Sequence, residues 1–296
     1  MQSGSRLSAR LERRLPQLVV SPLFAVSLFF VYGFILWTAY ISFTKSGVMP
    51  NYTFDGLAQY QRLWNTPRWY VAIRNLFVFT ALFISISLAI GILLAVLLDQ
   101  RVRIEGVIRT IYLYPMALSF IVTGTVWKWI LNPGLGIERL VRQAGFENFT
   151  FDWLVNPDYA IYTVVMAAVW QSSGYAMALF LAGLRSVDDE VLKAAAIDGA
   201  GPWRTYTGIV LPMLRPVFLS TVIILAHLAI KSFDLVIALT GGGPGYATDM
   251  PATFMYAFAF QRSELGVAAA SATMMLMTVV AIIVPYLYSE LRKTAG

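Results

Sequence analysis

Residues 186–216 read SVDDEVLKAAAIDGAGPWRTYTGIVLPMLRP, a water-compatible but strongly patterned stretch between two apolar runs. Ser186 and Asp189 have the spacing that opens a helix, and the VLKAAAI that follows is rich in strong helix formers. Asp198-Gly199 then ends that helix. Gly201-Pro202 opens another through Trp203, Tyr206 and Ile209 toward Leu211-Pro212, because proline suits the first turn of a helix. The stretch predicts a short helix, a glycine turn and a second short helix, suspended between membrane spans.

The rest of the chain supplies those spans. Of its 296 residues, 58% are hydrophobic and 13% charged, and the mean hydropathy is +0.67, well outside the range of water-soluble domains. The formal charge of +6 is then explained by where basic residues fall relative to a bilayer, without nucleic acid. Cysteine is absent, which excludes disulfides, thiol catalysis and thiolate metal sites, and a lone His227 excludes a multi-histidine metal centre.

Read in order, residues 1–16 form a polar tail with Arg6, Arg10, Arg13 and Arg14, followed by an uncharged run of 30 residues from 15 to 44. That run is too long for a signal-peptide core, and no small-residue cleavage pattern follows it, so it reads as an uncleaved first span. Spans are expected at about 17–44, 71–98, 110–131, 159–184, 214–237 and 265–289, with a tail at 291–296. Six spans place both termini on one side. Thirteen of the 22 lysines and arginines fall in or beside segments assigned inside, six fall outside, and Arg74, Lys128 and Lys231 lie within spans or at their edges. The excess sets both termini, and with them the 186–216 loop, in the cytoplasm.

The loop's spacing is specific: Lys193-Ala194-Ala195, three residues, Gly199, nine residues, then Ile209, Leu211 and Pro212. This resembles the cytoplasmic loop of permease subunits of bacterial ATP-binding-cassette importers, in which the first of these positions is usually Glu rather than Lys. LAGLRSVDDEVLKAAAIDGAGPW, FDLVIALTGGGPGYAT and LYPMALSFIVTGTVWKWILNPGLG resemble the carbohydrate branch, the maltose and glycerol-phosphate type. VPYLYSELR is similar to the glucose/mannose importer permeases. The resemblance implies an all-α membrane protein with the type I importer core, in the bacterial inner membrane. Its implied partners are a second homologous permease, two ATPase subunits that hold ATP and Mg, and a periplasmic or tethered sugar-binding protein. It also implies that Lys193, Ala194, Ala195, Asp198, Gly199, Ala200 and Pro202 form a coupling helix seated in an ATPase groove. No G-x-x-x-x-G-K-[ST] occurs, and LTGGGPG lacks that ending, so the chain itself is not expected to hydrolyse ATP or carry a cofactor. In the family the glycine turn lies at the outer face, where the binding protein docks.

Polar and aromatic residues inside spans are the candidates for handling a solute. Trp170, Gln171, Ser172 and Tyr175 place an indole, an amide and a phenol near one face of the fourth span, a combination suited to sugar hydroxyls and apolar sugar faces. Equally, these groups suit hydrogen bonds and packing between helices. By resemblance Tyr175 and Ser232 fall at sugar-contact positions of the maltose-type permeases, and Met116 and Phe120 stand where those have polar or aromatic contacts. Lys231 and Asp234, three apart, read as a neutralising pair in preference to a substrate contact. The competing function classes are an ion-coupled secondary transporter using Lys231, Asp234 or His227, for which no inverted repeat is visible, and a membrane-embedded enzyme, for which no nucleophile with a base is present.

Overall fold

The computed structural model describes the backbone of residues 4–100 and 103–294, with side chains over 20–100, 103–281 and 283–285. The inside basic side chains at Arg6, Arg10, Arg13, Arg14, Arg101, Arg292 and Lys293 lie outside the described ones. Apart from one isolated bridge between Thr44 and Phe54, every regular element among the described residues is helical. Four helices are long and apolar enough to cross a membrane: Val20–Ile41, Pro67–Asp99, Ala160–Leu184 and Leu265–Pro285. Two bent pairs, Glu105–Ala117 with Phe120–Ile130 and Pro202–Met213 with Arg215–Ile230, bring the number to six if each pair is one span.

The chain forms two compact units, Met1–Leu63 with Ala257–Met274, and Trp64–Tyr256 with Met275–Gly296. In the first, α1 (Gly4–Ile41) exposes apolar side chains from Val20 onward and becomes buried only at its end, where Ile41, Ser42 and Thr44 have no more than trace exposure. The short loop after it is closed by Lys45–Asp55 at 3.5 Å, by Ser42 bonded to the Tyr60 hydroxyl at 2.8 Å, and by the Gly266 N–H donating to the Ser46 carbonyl at 2.9 Å. α2 (Ala58–Trp64) adds an ion pair from Arg62 to Glu264 at 3.0 Å.

The second unit is organised on two long helices, α3 (Pro67–Asp99) and α7 (Ala160–Leu184). They approach through small residues: a Cβ placed on Gly91 would lie 2.7 Å from the Ala176 Cβ. In a bilayer no hydrophobic effect drives helices together, so such close backbone approach and its dispersion contacts do so. The outer half of the unit is an apolar cluster with Phe79 and Phe83 stacked at 5.4 Å. The inner half is a second cluster of Ala95, Leu98, Met177, Phe180, Leu181, Leu184, Val210 and Leu214.

The third and fifth spans, read as continuous from their apolar runs, are both broken. α4 (Glu105–Leu113) passes into a 3₁₀ turn at Tyr114–Ala117, the chain extends at Leu118, and α5 (Phe120–Ile130) departs at 101° to the first piece. Pro115 starts the tight turn, and Ser119 caps the new helix by accepting from the Val122 N–H at 3.3 Å. In the second bent pair Pro202–Met213 turns away at 64° and is assigned to the loop, so the fifth span is α10 (Arg215–Ile230) followed, after Lys231 and Ser232, by α11 (Phe233–Leu239). Sixteen helical residues span only ~24 Å, short of the ~30 Å hydrocarbon layer, so the second piece completes the crossing.

Between the second and third spans lies one cytoplasmic connection, and the 186–216 loop is the other. It holds α8 (Asp189–Ile197) and α9 (Pro202–Met213), whose middle, Tyr206–Val210, is π-helical. Outside the apolar spans, α6 (Ile137–Gln143) lies in the loop between the third and fourth, and α12 (Pro251–Tyr256) follows the glycine turn.

Candidate functional site

The cytoplasmic loop keeps the predicted plan and corrects its details. Asp188, not Ser186, caps α8, its carboxylate accepting from the Glu190 N–H at 2.9 Å. Ser186 instead donates to the Gly183 carbonyl at 2.7 Å and finishes the preceding span. At the far end the Gly199 N–H bonds the Ala196 carbonyl and the Ala200 N–H bonds the Ala195 carbonyl, with Gly199 at φ +74°. This double closure is the Schellman motif, and the left-handed residue it needs is the reason for glycine there. A Cβ on Gly199 would meet nothing within 4 Å, so the cost of a side chain would be backbone strain and bulk toward an outside partner.

Lys193, Ala194, Asp198, Gly199 and Pro202 are exposed, and Ala200 is partly so. Ala195 is 4% exposed, because it faces a groove between α8 and α9 shared with Arg204, Gly208 and Ile209. It therefore does not present a small surface to a partner as Ala194 does. Lys193 makes no ion pair among the described residues despite Asp189 and Glu190 one turn earlier. The sequence reading missed the two largest features of the tip: Ile197 is 86% exposed and Trp203 82%. Large apolar side chains within an otherwise polar loop were the available signal.

The base of the loop is fused to the spans. Val210 and Leu214 belong to the inner apolar cluster, and Tyr206 and Leu211 pack on it. Gly183 lets the next span close in, since a Cβ there would lie 2.9 Å from Leu214 Cδ2 and 3.0 Å from Val217 Cγ2. Two polar contacts reach further. The Tyr206 hydroxyl donates to Asp99 Oδ2 at 3.0 Å and accepts from Gln100 at 3.3 Å. Arg185 pairs with Glu105 at 2.8 Å, with Arg109 at 4.0 Å from the same carboxylate. The hydrogen bond from Arg185 holds the Glu105 carboxyl below its usual range against the opposing effect of burial, and both arginine charges add to it. The pair is thus intact at neutral pH and is lost as the pH falls through that lowered value. Burial raises the Tyr206 phenol, and its bond to Asp99 raises it further, so it is a protonated donor at neutral pH.

Within the bilayer the structure divides the candidate residues. Trp170 is 39% exposed and packs edge-on against Trp127 at 5.9 Å, Met116 is 36% exposed, and Tyr175 and Phe120 are half-buried. Gln171, Ser172 and Ser232 are at most 3% exposed, so the fourth-span set does not share one open face. Gln171 turns inward to donate to the Leu118 carbonyl at 2.8 Å, the group that the break in the third span leaves without a helical partner. This bond is the interhelical contact of its two readings, and the amide oxygen takes no part in it. Gln171 Oε1, Ser172 Oγ, Ser232 Oγ, Thr123 Oγ1 and Ser87 Oγ are buried with no hydrogen-bond partner among the described residues.

Lys231 and Asp234 do not form the expected pair. An i, i+3 meeting requires a continuous helix, and the helix stops between them: Lys231 caps α10, and Asp234 lies in the first turn of α11. Each charge instead complements the helix end on which it sits, and both are exposed. α11 packs on α5 through Gly124, whose added Cβ would lie 2.7 Å from the Ala238 Cβ and 3.0 Å from the Leu235 carbonyl oxygen. α5 and α11 are thus the half-helices that follow the two breaks, and Ser119 and Ser232 stand at their N-termini.

At the outer end the glycine turn is a built structure. Gly241, Gly242 and Gly245 take positive φ, and Thr240 and Thr248 hydroxyls meet at 2.6 Å. Asp249, with 1% of its side chain exposed, accepts from Arg68 at 2.6 and 3.2 Å and from Thr253 at 2.6 Å, while Asn75 donates to the Ala247 and Asp249 carbonyls. Arg68 also lies over the Tyr246 ring at 4.4 Å. Removing one member of a buried ion pair strands the other charge, so Arg68→Met should destabilise the unit by ~3 kcal/mol or more. A lowered thermal midpoint in detergent, with new proteolysis near Tyr246, is the expected result.

Four similarities bear on this geometry. Residues 87–293 match the family described as binding-protein-dependent transport system inner membrane component. The chain is 41% identical over 261 residues to a probable ABC transporter permease protein of Pyrococcus horikoshii, covering 88% of this chain and 89% of the relative. It is 38% identical to a xylose/arabinose import permease protein of Haloferax volcanii, over 89% of this chain and 84% of the relative. Among solved structures, a bacterial ABC transporter involved in import of the acidic polysaccharide alginate shares the fold, with TM-score 0.79 at 21% identity over 98% of this chain and 99% of that one.

Proposed function

The chain belongs to the family of binding-protein-dependent transport system inner membrane components, and from that premise we propose that it is one permease subunit of an ATP-driven sugar importer, carrying a monosaccharide such as glucose or mannose across the inner (cytoplasmic) membrane. The observation that carries this reading is the 186–216 loop, a capped helix pair that exposes Ile197 and Trp203 while its base is buried among the spans. Such a knob needs an external groove. Its chemistry suits an ATPase subunit, which supplies the nucleotide site that this sequence lacks. Lys193, which makes no ion pair among the described residues, then meets an acidic group or an exposed helix C-terminus on that subunit.

The substrate class rests on the mid-membrane residues. Trp170, Tyr175, Phe120 and Met116 are at least partly exposed and offer apolar and aromatic surface to a sugar ring. Ser172, Ser232 and Thr123 hold buried oxygens that have no hydrogen-bond partner among the described residues. A motion that parts the half-helices would let these oxygens bond water or sugar hydroxyls, lowering the cost of opening. Relatives named for xylose/arabinose and for trehalose/maltose import support a sugar as the cargo. The working unit pairs this chain with a second homologous permease, two ATPases and a sugar-binding protein that does much of the selecting.

The test is isolation of the chain from its own host followed by uptake in liposomes. The expected result is co-purification of a second permease and an ATPase pair, with uptake of radiolabelled glucose or mannose that needs ATP and the binding protein. Proton-driven uptake by the isolated chain would instead establish an ion-coupled transporter using Lys231, Asp234 or His227.

A further inference from the structure

The 186–216 loop is joined to more of the membrane domain than the two spans it connects. Its apolar base sits in a cluster that the fourth and fifth spans share with Ala95 and Leu98 of the second span and with Ile108 and Leu113 of α4, contacts that hold proximity but not direction. The Tyr206 hydroxyl, however, is bonded to Asp99 at the cytoplasmic end of the second span. Arg185, immediately before the loop, is bonded to Glu105 on the connection that opens the third span. The two contacts sit on opposite flanks of the loop, one on α9 and one before α8. Both reach residues about a hundred or eighty positions earlier in the chain, so neither is a local capping bond.

We infer that Tyr206–Asp99 and Arg185–Glu105 form a two-point cytoplasmic tether, which makes the second span and the inner half of the third span move with the coupling loop. This rests on the reading of that loop as the ATPase-docking element. The chemistry suits the role: hydrogen-bonded contacts hold direction as well as distance, so they transmit rotation that a smooth apolar contact would allow to slip. The inner half of the third span ends at the Leu113–Leu118 break, where Gln171 holds the Leu118 carbonyl. A pull on Glu105 therefore arrives at the break flanked by Met116 and Phe120. These four side chains are positioning residues, acting through the helices they join.

The test uses the complete complex in liposomes, with its ATPase subunits and binding protein, and reads radiolabelled glucose or mannose transported per ATP hydrolysed. Asp99→Ala combined with Arg185→Met removes both contacts. ATPase subunits should still co-purify and hydrolyse ATP, while sugar moved per ATP falls about fivefold or more. Asp99→Asn combined with Arg185→Lys keeps an acceptor and a cation and should stay within about twofold of the natural chain. An unchanged ratio in the first variant, or an equal loss in both, would overturn the tether. Should the first variant fail to assemble, the tether stands only if the conservative variant assembles and couples normally and each contact removed singly lowers the ratio. Failure of the underlying reading looks different: the natural chain would then bind no ATPase subunit.

Discussion

Gly174→Ala should prevent the fourth span from seating against the third, and Gly174→Leu should leave no recoverable complex. The glycine lies mid-way along α7, where an added Cβ would fall on the carbonyl group of Tyr112. The obstacle is backbone, which cannot turn aside as a flexible side chain does. Tyr112 is also one residue from the end of α4, just before the 3₁₀ turn and the Leu118 carbonyl held by Gln171. Relieving the overlap would push that whole segment off the fourth span and break the Gln171 bond with it. Overpacking of this kind costs ~3 kcal/mol or more, enough to remove most of the folded protein at a marginal net stability. Thermal unfolding and size-exclusion recovery in detergent measure it. Gly106→Ala is the matched control: it is helical with nothing within 4 Å of its added Cβ, and it should be neutral or slightly stabilising.

That contact also shows what could be read in advance and what could not. Span count and the helix pair of the loop follow from composition and local turn chemistry: a run of apolar residues, Gly199 at a position that demands positive φ, and Pro202 in a first turn. The breaks are different. Pro115 was a visible signal in the third span, but it sits within an uncharged run that has the length of a full crossing. Lys231-Ser232 contains no proline or glycine at all. Once the fifth span is taken as continuous, pairing Lys231 with Asp234 follows automatically and wrongly, so a single geometric error carries into the site. Asp249 escaped for another reason. Its partner Arg68 is 181 residues away in sequence, and nothing local distinguishes it from an ordinary turn aspartate. Gln171 was legible as a functional candidate because a buried amide is costly, yet only coordinates tell whether it bonds a solute or a broken backbone.

Trp203→Ala should release the ATPase subunits while leaving the chain folded and inserted. In most proteins truncating a tryptophan removes core packing, but here the indole is 82% exposed and gives up little contact within its own chain. Ile197, 86% exposed, lies just before the glycine turn, and Trp203 just after it, so the two flank the turn as a pair of apolar prongs. Tryptophan is among the residues that dominate interface energetics, and losing a central one costs ~2–4 kcal/mol. That corresponds to ~30-fold to ~1,000-fold weaker docking. Trp203→Phe, which keeps a large ring, should retain most of the affinity, and Ile197→Ala should give an intermediate loss. Lys193→Ala tests a different contribution: an exposed charge changes association by ~1 kcal/mol or less and does so in a salt-dependent way. Measured together by ATPase co-purification at low and high salt, the series separates apolar seating from charge. Salt-insensitive loss at Trp203 beside salt-sensitive loss at Lys193 is the expected pattern. Full retention of the ATPase subunits by Trp203→Ala would show that the loop's tip is not the docking element. The tip's energetic weight would then have to shift to the exposed alanine face around Ala194, which offers far less area to bury.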